Sequence, residues 1–269
     1  MKSGRTSTGI RIREACHLPL SVIYWARDNS AADWLLTRCL RRLLFCPLQP
    51  EASRGTTTVL RTLTAQFLHH GAHALVLDLK RISHWRAHGL PGVTYCRDIT
   101  DIHDALIGLQ AELAHHIYQI DQHGYADDLP RLTVLIEAAD NTLNHLARHW
   151  DTVREKGDLK TSPAIAALED LLFAGRQARI HILMAGHLKR PLGLEAREFF
   201  ATLVLGRATT RTWNQLAPQI GATPKGSTRP GRVHVAQGLT AHPTPVLLMT
   251  DAEAAAWVTT TAAGETEED

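Results

Sequence analysis

Four short segments of the chain carry polar side chains at spacings that suit phosphate or metal binding. The first is the run PEASRGTT at residues 50–57. A loop that cradles phosphates follows G-x-x-x-x-G-K-[ST], in which the lysine binds the β- and γ-phosphates and the hydroxyl holds Mg²⁺. Gly55 and Thr57 match this pattern, whereas Pro50 replaces the first glycine and Thr56 replaces the lysine. Taken alone, the run also fits an ordinary loop before a threonine-rich helix.

The second segment, LTVLIEAAD at residues 132–140, is an apolar run that ends in an acid. Apolar residues followed by two acids are typical of a strand that binds magnesium and activates water. Glu137 occupies the first acidic position, and Ala138 occupies the second. A methyl group cannot polarise a nucleophile, so we expect Glu137 to reach a metal ion or its water and expect no general base at Ala138. A buried strand that ends in one exposed acid is the alternative.

The third and fourth segments also join apolar runs to polar residues. The third is Asp78-Leu79-Lys80-Arg81, which a solvated strand end explains equally well. The fourth, GRQARIHILMAGH at residues 175–187, leads from a helix end into a strand that ends at His187.

Between these segments, the hydrophobic pattern alternates between strands and helices. Continuous apolar runs predict strands at 43–48, 72–77, 132–136, 180–185 and 201–205, as in parallel sheets that are covered on both faces. Weaker patterns predict a strand at 93–95 and a late hairpin or edge strands at 232–236 and 246–248. Helical spacing predicts helices at 34–44, 56–70, 100–122, 163–178 and 210–216, and a short last helix capped by Asp251.

This alternation predicts an α/β domain with a mostly parallel sheet and helices on both faces. Ligands of such sheets bind at the carboxyl ends of the strands. The loops at 49–57, 78–81, 137–141 and 186–191 are therefore the expected site.

The composition limits the class of protein. The chain has 269 residues, is 44% hydrophobic and 21% charged, and is typical of a globular protein. A formal net charge of +2 permits a polyanionic partner without indicating one. The four cysteines form no C-x-x-C pair, which argues against a zinc site or a disulfide framework and favours a reducing compartment. The 16 histidines include no H-E-x-x-H motif, and most are expected on solvated helix surfaces.

No apolar run approaches the ~20 residues that cross a bilayer, and the basic N-terminus lacks the apolar stretch of a secretory signal. We therefore expect a cytoplasmic protein that reaches a membrane only through a partner. The expected division is an N-terminal arm at 1–29, one domain at 30–258 and an acidic, disordered tail at 259–269.

Taken together, the four segments resemble the motor domain of the FtsK/SpoIIIE family of DNA-pumping ATPases, particularly its smaller actinobacterial and conjugative-element versions. That family has a P-loop, a strand that ends D-P-K, a strand that ends in two acids, and an A-R-x-x-G-I-H segment before a strand that ends A-T-Q. Here Asp78-Leu79-Lys80 matches D-P-K, and Gly186-His187 stands in the last two places of A-T-Q. Arg176, Ile180 and His181 match the A-R-x-x-G-I-H segment, from which Gly175 and Arg179 depart. Thr210-Arg211-Thr212 resembles a later S-R-T motif.

The resemblance implies a P-loop (RecA-like) fold and a nucleotide site. Thr57 and Glu137 would be weak Mg²⁺ ligands, and Arg176, Arg207 or Arg211 would be arginines supplied to a neighbouring subunit's nucleotide. The implied ATP-binding residues are Ser53, Arg54, Gly55, Thr56, Thr57, Thr58, Asp78 and Lys80.

The departures from the family affect the ATP chemistry itself, at Pro50, Thr56, Ala138 and His187. Losing a preorganised charge on the transferred phosphate typically costs ~3–4 kcal/mol in the transition state. We therefore expect a non-hydrolysing subunit or regulator in DNA transfer or segregation, with weak ATP·Mg²⁺ binding at most.

Its expected partners are duplex DNA and a homo-oligomer, or a hetero-oligomer with an active homologue. One alternative is an active DNA-dependent ATPase in which Lys80 or Arg54 replaces the lysine and Asp140 replaces the acid. The other is a protein-interaction module that binds no nucleotide.

Overall fold

A computed structural model of the chain describes residues 44–47, 55–126, 128–186, 199–200, 202–206, 208–222 and 231–264. Within them the strands are β1 (Leu44–Pro47), β2 (His73–Leu77), β3 (Val93–Cys96), β4 (Leu132–Ile136), β5 (Ile180–Gly186), β6 (Thr202–Leu205), β7 (Arg232–Gln237) and β8 (Thr240–Pro245). The helices are α1 (Thr56–His69), α2 (Ile99–His123), α3 (Ala139–Val153), α4 (Pro163–Ala174), α5 (Thr210–Leu216) and α6 (Asp251–Gly264). Short 3-10 turns lie at Trp85–Ala87 and Pro218–Ile220.

The strands form one eight-stranded sheet in the order β3-β2-β4-β5-β1-β6-β7-β8. All pairings from β3 to β6 are parallel, and β7 and β8 extend the sheet as an antiparallel hairpin. The register aligns Leu77 of β2 with Ile136 of β4 and Ile136 with Met184 of β5. The carboxyl ends of these neighbouring strands therefore reach the same edge of the sheet, as the predicted mostly parallel α/β fold requires.

Alternate strand residues face different helices, so the sheet is covered on both sides. Val134, Ile136 and their counterparts on β5 belong to the large core formed with α2, α3 and α4. The intervening Leu135 lies with residues of α1 and α6, and His181 of β5 stacks against Phe67 of α1. Burial on both sides explains why these strands read as continuous apolar runs.

The helix α6 is bound to α1 by polar contacts as well as by apolar packing. Nε of Arg61 lies 2.6 Å from Oδ1 of Asp251, and Nη1 of Arg61 donates to the carbonyl of Met249 across 3.0 Å. Ala65 of α1 packs with Met249 and Val258 in a small separate core. The last helix is thus an integral part of the α1 face of the sheet.

Several sequence predictions need correction. Helix α3 was not predicted, although Ala139, Thr142, Leu143 and Leu146 lie buried at the i, i+3, i+4, i+7 spacing of one helix face. Its remaining positions are so polar that the stripe is narrow. Helix α4 ends at Ala174 rather than near residue 178.

The chain's last elements also differ from the prediction. The strand expected at 246–248 lies earlier, at β8, whose edge position tolerates its two prolines because an edge strand leaves some N–H positions unpaired. The cap of α6 is Thr250 rather than Asp251. The Thr250 hydroxyl accepts from the amide of Glu253 across 3.2 Å, and the Glu253 carboxylate accepts from the amide of Thr250 across 2.8 Å, which is a capping box.

The compact unit that holds all described elements runs from Arg41 to Asp269. Helix α6 extends to Gly264. The division into an arm at 1–29, a domain at 30–258 and a tail at 259–269 stays a prediction. The arm at 1–29, the helix at 34–44 and the last five residues lie outside the described residues. Among the described helices, none is long and apolar enough to cross a membrane.

Candidate functional site

The candidate site lies at the carboxyl edge of the parallel strands. Asp78 directly follows β2, Glu137 directly follows β4, and the paired register of these strands makes the two residues neighbours. Helix α1 begins at Thr56, just after the predicted phosphate loop. The segments that the sequence analysis singled out at 55–58, 78–80 and 137 therefore meet in space.

The centre of the site is the carboxylate of Glu137, whose side chain is only 5% exposed. The hydroxyl of Thr57 donates a hydrogen bond to its Oε1 across 2.7 Å. Nε2 of His84 lies 2.5 Å from its Oε2, in an ion-pair contact rather than a well-aligned hydrogen bond. Both carboxylate oxygens are therefore occupied by side chains of this domain.

These contacts determine the protonation of Glu137. Burial by itself raises the pKa of a carboxyl group, because it penalises the charged form. The contacts from His84 and Thr57 and the positive charges of His84 and Lys80 outweigh that effect and lower the pKa of Glu137 below its ordinary value. The group is thus a carboxylate at neutral pH, the form that a divalent cation requires.

Asp78, predicted among the nucleotide ligands, accepts hydrogen bonds from its own domain, and its role toward a nucleotide stays a prediction. Its side chain is buried, and its Oδ2 accepts three hydrogen bonds within the domain. The donors are the amides of Ser83 and His84, at 3.0 and 2.9 Å, and the hydroxyl of Tyr95, at 3.0 Å. Burial, followed by the charge and the hydrogen bond of Asp78, raises the pKa of Tyr95 to about 12, so the phenol remains a donor.

The amino end of α1 carries the other predicted nucleotide residues. Gly55 precedes the helix with φ of +143°, a conformation that glycine adopts readily. The first amides of a helix have no partner within it and attract anions. Thr56 stands where the family has its lysine, and its short, neutral side chain is buried. Thr58 is half-buried in the first turn.

Ala138 adopts a backbone conformation that is uncommon for an alanine. Its φ of 53° and ψ of 47° lie in the left-handed region, immediately before α3. This region costs an L-residue roughly 1–2 kcal/mol. Ala138, which stands where the resembled family has its second acid, thus has a strained backbone and a buried methyl side chain.

Lys80 and Asp140, the proposed substitutes for missing groups, also lie at this edge. Lys80 is exposed, and its charge acts on Glu137. Asp140 lies in the first turn of α3 with its carboxylate beside the end of β5, because a Cβ on Gly186 would come within 2.7 Å of its Oδ2. Both therefore lie at the same edge of the sheet as Glu137.

The arginines predicted to reach a neighbouring subunit's nucleotide lie at different edges of the sheet. Arg176 precedes β5, and its charge acts on His181 near the amino end of that strand, away from Glu137. Arg211 is exposed in the first turn of α5, which follows the carboxyl end of β6. Arg207, His187, Ser53 and Arg54 lie outside the described residues, as does Pro50.

The structure adds two residues that the sequence analysis missed, His84 and Tyr95. Neither lies in a recognised motif, since His84 comes six positions after Asp78 in an irregular loop and Tyr95 lies within β3. Only the fold brings them to the carboxylates of Glu137 and Asp78.

The oxygen ligands at the site fit a magnesium ion that is bound together with a nucleotide. Mg²⁺ is commonly held by one or two carboxylates plus phosphate oxygens and water, and Thr57 with Glu137 supplies one hydroxyl and one carboxylate. Among the described residues, no group of three or more His, Cys, Asp or Glu side chains could hold a metal without such a ligand.

The fold matches solved structures of several ATPases. The pCW3 conjugation coupling protein TcpA, solved as a monomer with ATPγS, has 13% identity and a TM-score of 0.63 over 84% of this chain and 66% of its own. ATPases 2 and 3 of EssC from Geobacillus thermodenitrificans have 15% identity and a TM-score of 0.64, over 85% of this chain and 45% of their own. The cytoplasmic domain of the type VII secretion ATPase EccC from Thermomonospora curvata has 13% identity and a TM-score of 0.57, over 81% of this chain and 27% of its own.

The chain thus spans less than two thirds of the length of each of these proteins. No protein-family model matches it, and no curated protein is significantly similar to it in sequence. The predicted P-loop, RecA-like fold is confirmed: the domain is built like the FtsK/SpoIIIE-type P-loop ATPases.

Proposed function

We propose that this domain is a non-hydrolysing relative of the FtsK/SpoIIIE-type motors, acting as a structural or regulatory subunit in DNA transfer or segregation. One observation carries the proposal. The hydroxyl–carboxylate pair of Thr57 and Glu137 is intact across 2.7 Å, while the positions that supply phosphate charge and activate water hold Thr56 and Ala138.

Weak nucleotide binding follows from what remains. The amino end of α1 offers its first-turn amides, which have no partner within the helix, and the positive end of the helix dipole to phosphate oxygens. Thr57 and Glu137 would hold Mg²⁺, which neutralises charge on the β- and γ-phosphates when it is bound. In the adjoining loop, Arg54 would favour phosphate and Glu51 would oppose it. We expect affinity well below that of a complete phosphate loop, because the lysine is missing.

Hydrolysis requires more than this site supplies. A charge that stabilises the transferred phosphate is worth roughly 3–4 kcal/mol in the transition state. A positioned base contributes another ~10²–10⁴-fold in rate. Thr56 cannot supply the charge, and the methyl group of Ala138 cannot supply the base. Glu137, whose oxygens are held by Thr57 and His84, is committed to other contacts.

A subunit that does not hydrolyse ATP can still serve an assembly. We infer that the domain associates with copies of itself or with an active homologue, and that the assembly contacts duplex DNA. The exposed Arg211, which follows the carboxyl end of β6, is the described arginine best placed to reach a neighbour's nucleotide. The resemblance to a conjugation coupling protein supports this context.

The test is to titrate ATP·Mg²⁺ and duplex DNA separately into the purified chain, to measure its mass in solution and to follow phosphate release with and without DNA. We expect weak nucleotide binding and no release above a blank. DNA-stimulated release that Glu137→Gln abolishes would overturn the proposal. Binding of neither ligand, together with a stable protein partner, would favour the interaction module.

A second candidate is an active ATPase with displaced groups. It is favoured by the charge of Lys80, which acts on Glu137, and by the carboxylate of Asp140 beside the end of β5. On this hypothesis, Lys80→Ala or Asp140→Ala abolishes turnover, whereas the exposed Lys156→Ala leaves it unchanged. Absence of turnover in the wild-type chain rules this candidate out.

A further inference from the structure

We propose that His84 is an internal plug of the nucleotide site: its imidazole occupies the cation position beside Glu137, and Asp78 anchors the loop that holds it there. We call residues 78–88 the plug loop. The inference rests on the proposed function, because it names how the same site is regulated. It assigns no chemical step to His84.

The contacts at Glu137 support the plug. A cation that bridges this carboxylate and a nucleotide needs an open oxygen lone pair directed toward the end of α1. Oε1 is occupied by the hydroxyl of Thr57 at 2.7 Å, and Oε2 by Nε2 of His84 at 2.5 Å. His84 is itself only 5% exposed, so its ring fills the space next to the carboxylate rather than solvent. Cation binding therefore competes with the imidazole for the same oxygen.

The plug loop is held in place by a buried anchor. Oδ2 of Asp78 accepts from the amides of Ser83 and His84, which fixes the backbone at the position of the plug. The amide of Arg81 donates to the carbonyl of Asp78 across 2.9 Å, and the Arg81 side chain pairs with Asp98. Asp78, at 1% exposure, is thus a positioning residue and not a nucleotide ligand.

The imidazole has space into which it can withdraw. His84 lines a cavity of about 40 Å³ together with Ala87 and Leu90 of the 3-10 turn region, Ala65 of α1 and Ala254 of α6. A volume of this size can hold a water molecule, so the ring borders free space on the side of α1 and α6.

The outer side of the plug loop carries two exposed apolar side chains. Ile82 is 76% exposed and Trp85 is 54% exposed, with the Arg86 guanidinium 4.7 Å from the centre of a Trp85 ring.

The experiment compares binding of Mg²⁺·ATPγS to the full chain in its wild-type, His84→Ala and Asp78→Asn forms. Titration calorimetry gives the affinity, and hydrogen exchange of the plug-loop amides gives its opening. His145→Ala is the control, because His145 is an exposed histidine outside the plug loop. We expect both test variants to bind Mg²⁺·ATPγS at least about tenfold more tightly than wild type. This ratio is expected if the plug loop of the wild-type chain is open in about one molecule in ten or fewer, because only open molecules bind. The control should bind like wild type.

Nucleotide should also increase hydrogen exchange of the plug-loop amides in the wild-type chain. If His84→Ala does not fold, Asp78→Asn tests the plug by itself, because it changes neither His84 nor Glu137. Affinities equal to wild type in the folded variants, or unchanged exchange of the loop on nucleotide binding, overturn the inference.

Phosphate release, measured in parallel, separates the two proposals. Release by His84→Ala would contradict the non-hydrolysing function while supporting the plug. Tight binding without release supports both.

Discussion

The hydroxyl of Thr57 and the carboxylate of Glu137 lie 2.7 Å apart, although one lies in the first turn of helix α1 and the other directly follows strand β4. Thr57→Val keeps the shape of the side chain and removes the donor. A hydrogen bond to a charged group contributes about 1.5–3 kcal/mol, so the free energy of unfolding should fall by about that amount.

The change should also weaken Mg²⁺·ATPγS binding. Urea unfolding and calorimetry measure the two effects. Thr58→Val, one position along the same helix, is the control and should change the free energy of unfolding by less than about 0.5 kcal/mol. Equal effects of both substitutions would show that the Thr57–Glu137 contact is unimportant.

Burial of His181 should make the domain sensitive to acid. Burial, followed by the charges of Arg131, Arg179 and Arg176, lowers the pKa of His181 from 6.5 to about 3. The unfolded chain therefore binds a proton between these values and the folded chain does not, so stability falls as the pH drops below 6.5. The loss is about 1.4 kcal/mol per pH unit, or about 2 kcal/mol at pH 5.

Unfolding curves of wild type and His181→Leu at pH 7.5 and pH 5 isolate this contribution. The variant should lose about 2 kcal/mol less than wild type on acidification, whereas the exposed His115→Gln should follow wild type. A variant as acid-sensitive as wild type would contradict the assignment.

Ala138→Gly should stabilise the domain, because glycine adopts the left-handed conformation at this position without penalty. The expected gain is about 1 kcal/mol, reduced by the loss of one buried methyl group. The adjacent Ala139→Gly lies in the first turn of α3 and should instead destabilise by about 0.5–1 kcal/mol. Thermal unfolding of the two variants should therefore shift in opposite directions, and shifts of the same sign would be inconsistent with strain at Ala138.

Arg179 offers a second test of backbone strain. Its φ is 59°, and it stands where the resembled A-R-x-x-G-I-H segment has its glycine. Arg179→Gly and Arg179→Ala both remove the hydrogen bond from Nη1 to the carbonyl of Ala126. The glycine variant should be more stable than the alanine variant by about 1 kcal/mol in urea unfolding, since only the backbone cost differs between them. A more stable alanine variant would contradict this account.

How accurately each strand or helix could be predicted from the sequence depends on how it is buried. The strands of the parallel core were predicted within one or two residues, because burial on both faces produces unbroken apolar runs such as 132–136. In the edge hairpin, β7 was predicted within one residue, whereas β8 was misplaced by several residues, because it lacks such an unbroken apolar run. Helix α3 was missed because its buried face is a narrow apolar stripe and most of its other residues are polar.

The site was predicted only in part, for a physical reason. Thr57 and Glu137 lie at the ends of strong elements, and the parallel register brings such ends together. His84 and Tyr95 depend on the path of an irregular loop, which is fixed by hydrogen bonds to Asp78 and not by any periodic pattern. The hydrogen bonds by which Asp78 holds this loop were therefore not predicted, and its contact with a nucleotide stays a prediction.

The central position of β1 has a consequence for how the chain folds during synthesis. This first strand pairs only with β5 and β6 in the sheet, through contacts such as Leu44 with Leu183 and with Thr202. On the ribosome, β2, β3 and β4 can pair as soon as they emerge, while β1 must wait for more than half of the chain. Pairings between such distant segments form slowly, because closing a long loop costs entropy before the contacts repay it. The segment that leads into the predicted phosphate loop is therefore secured only after β5 has been made, and the proposed nucleotide binding can begin only then.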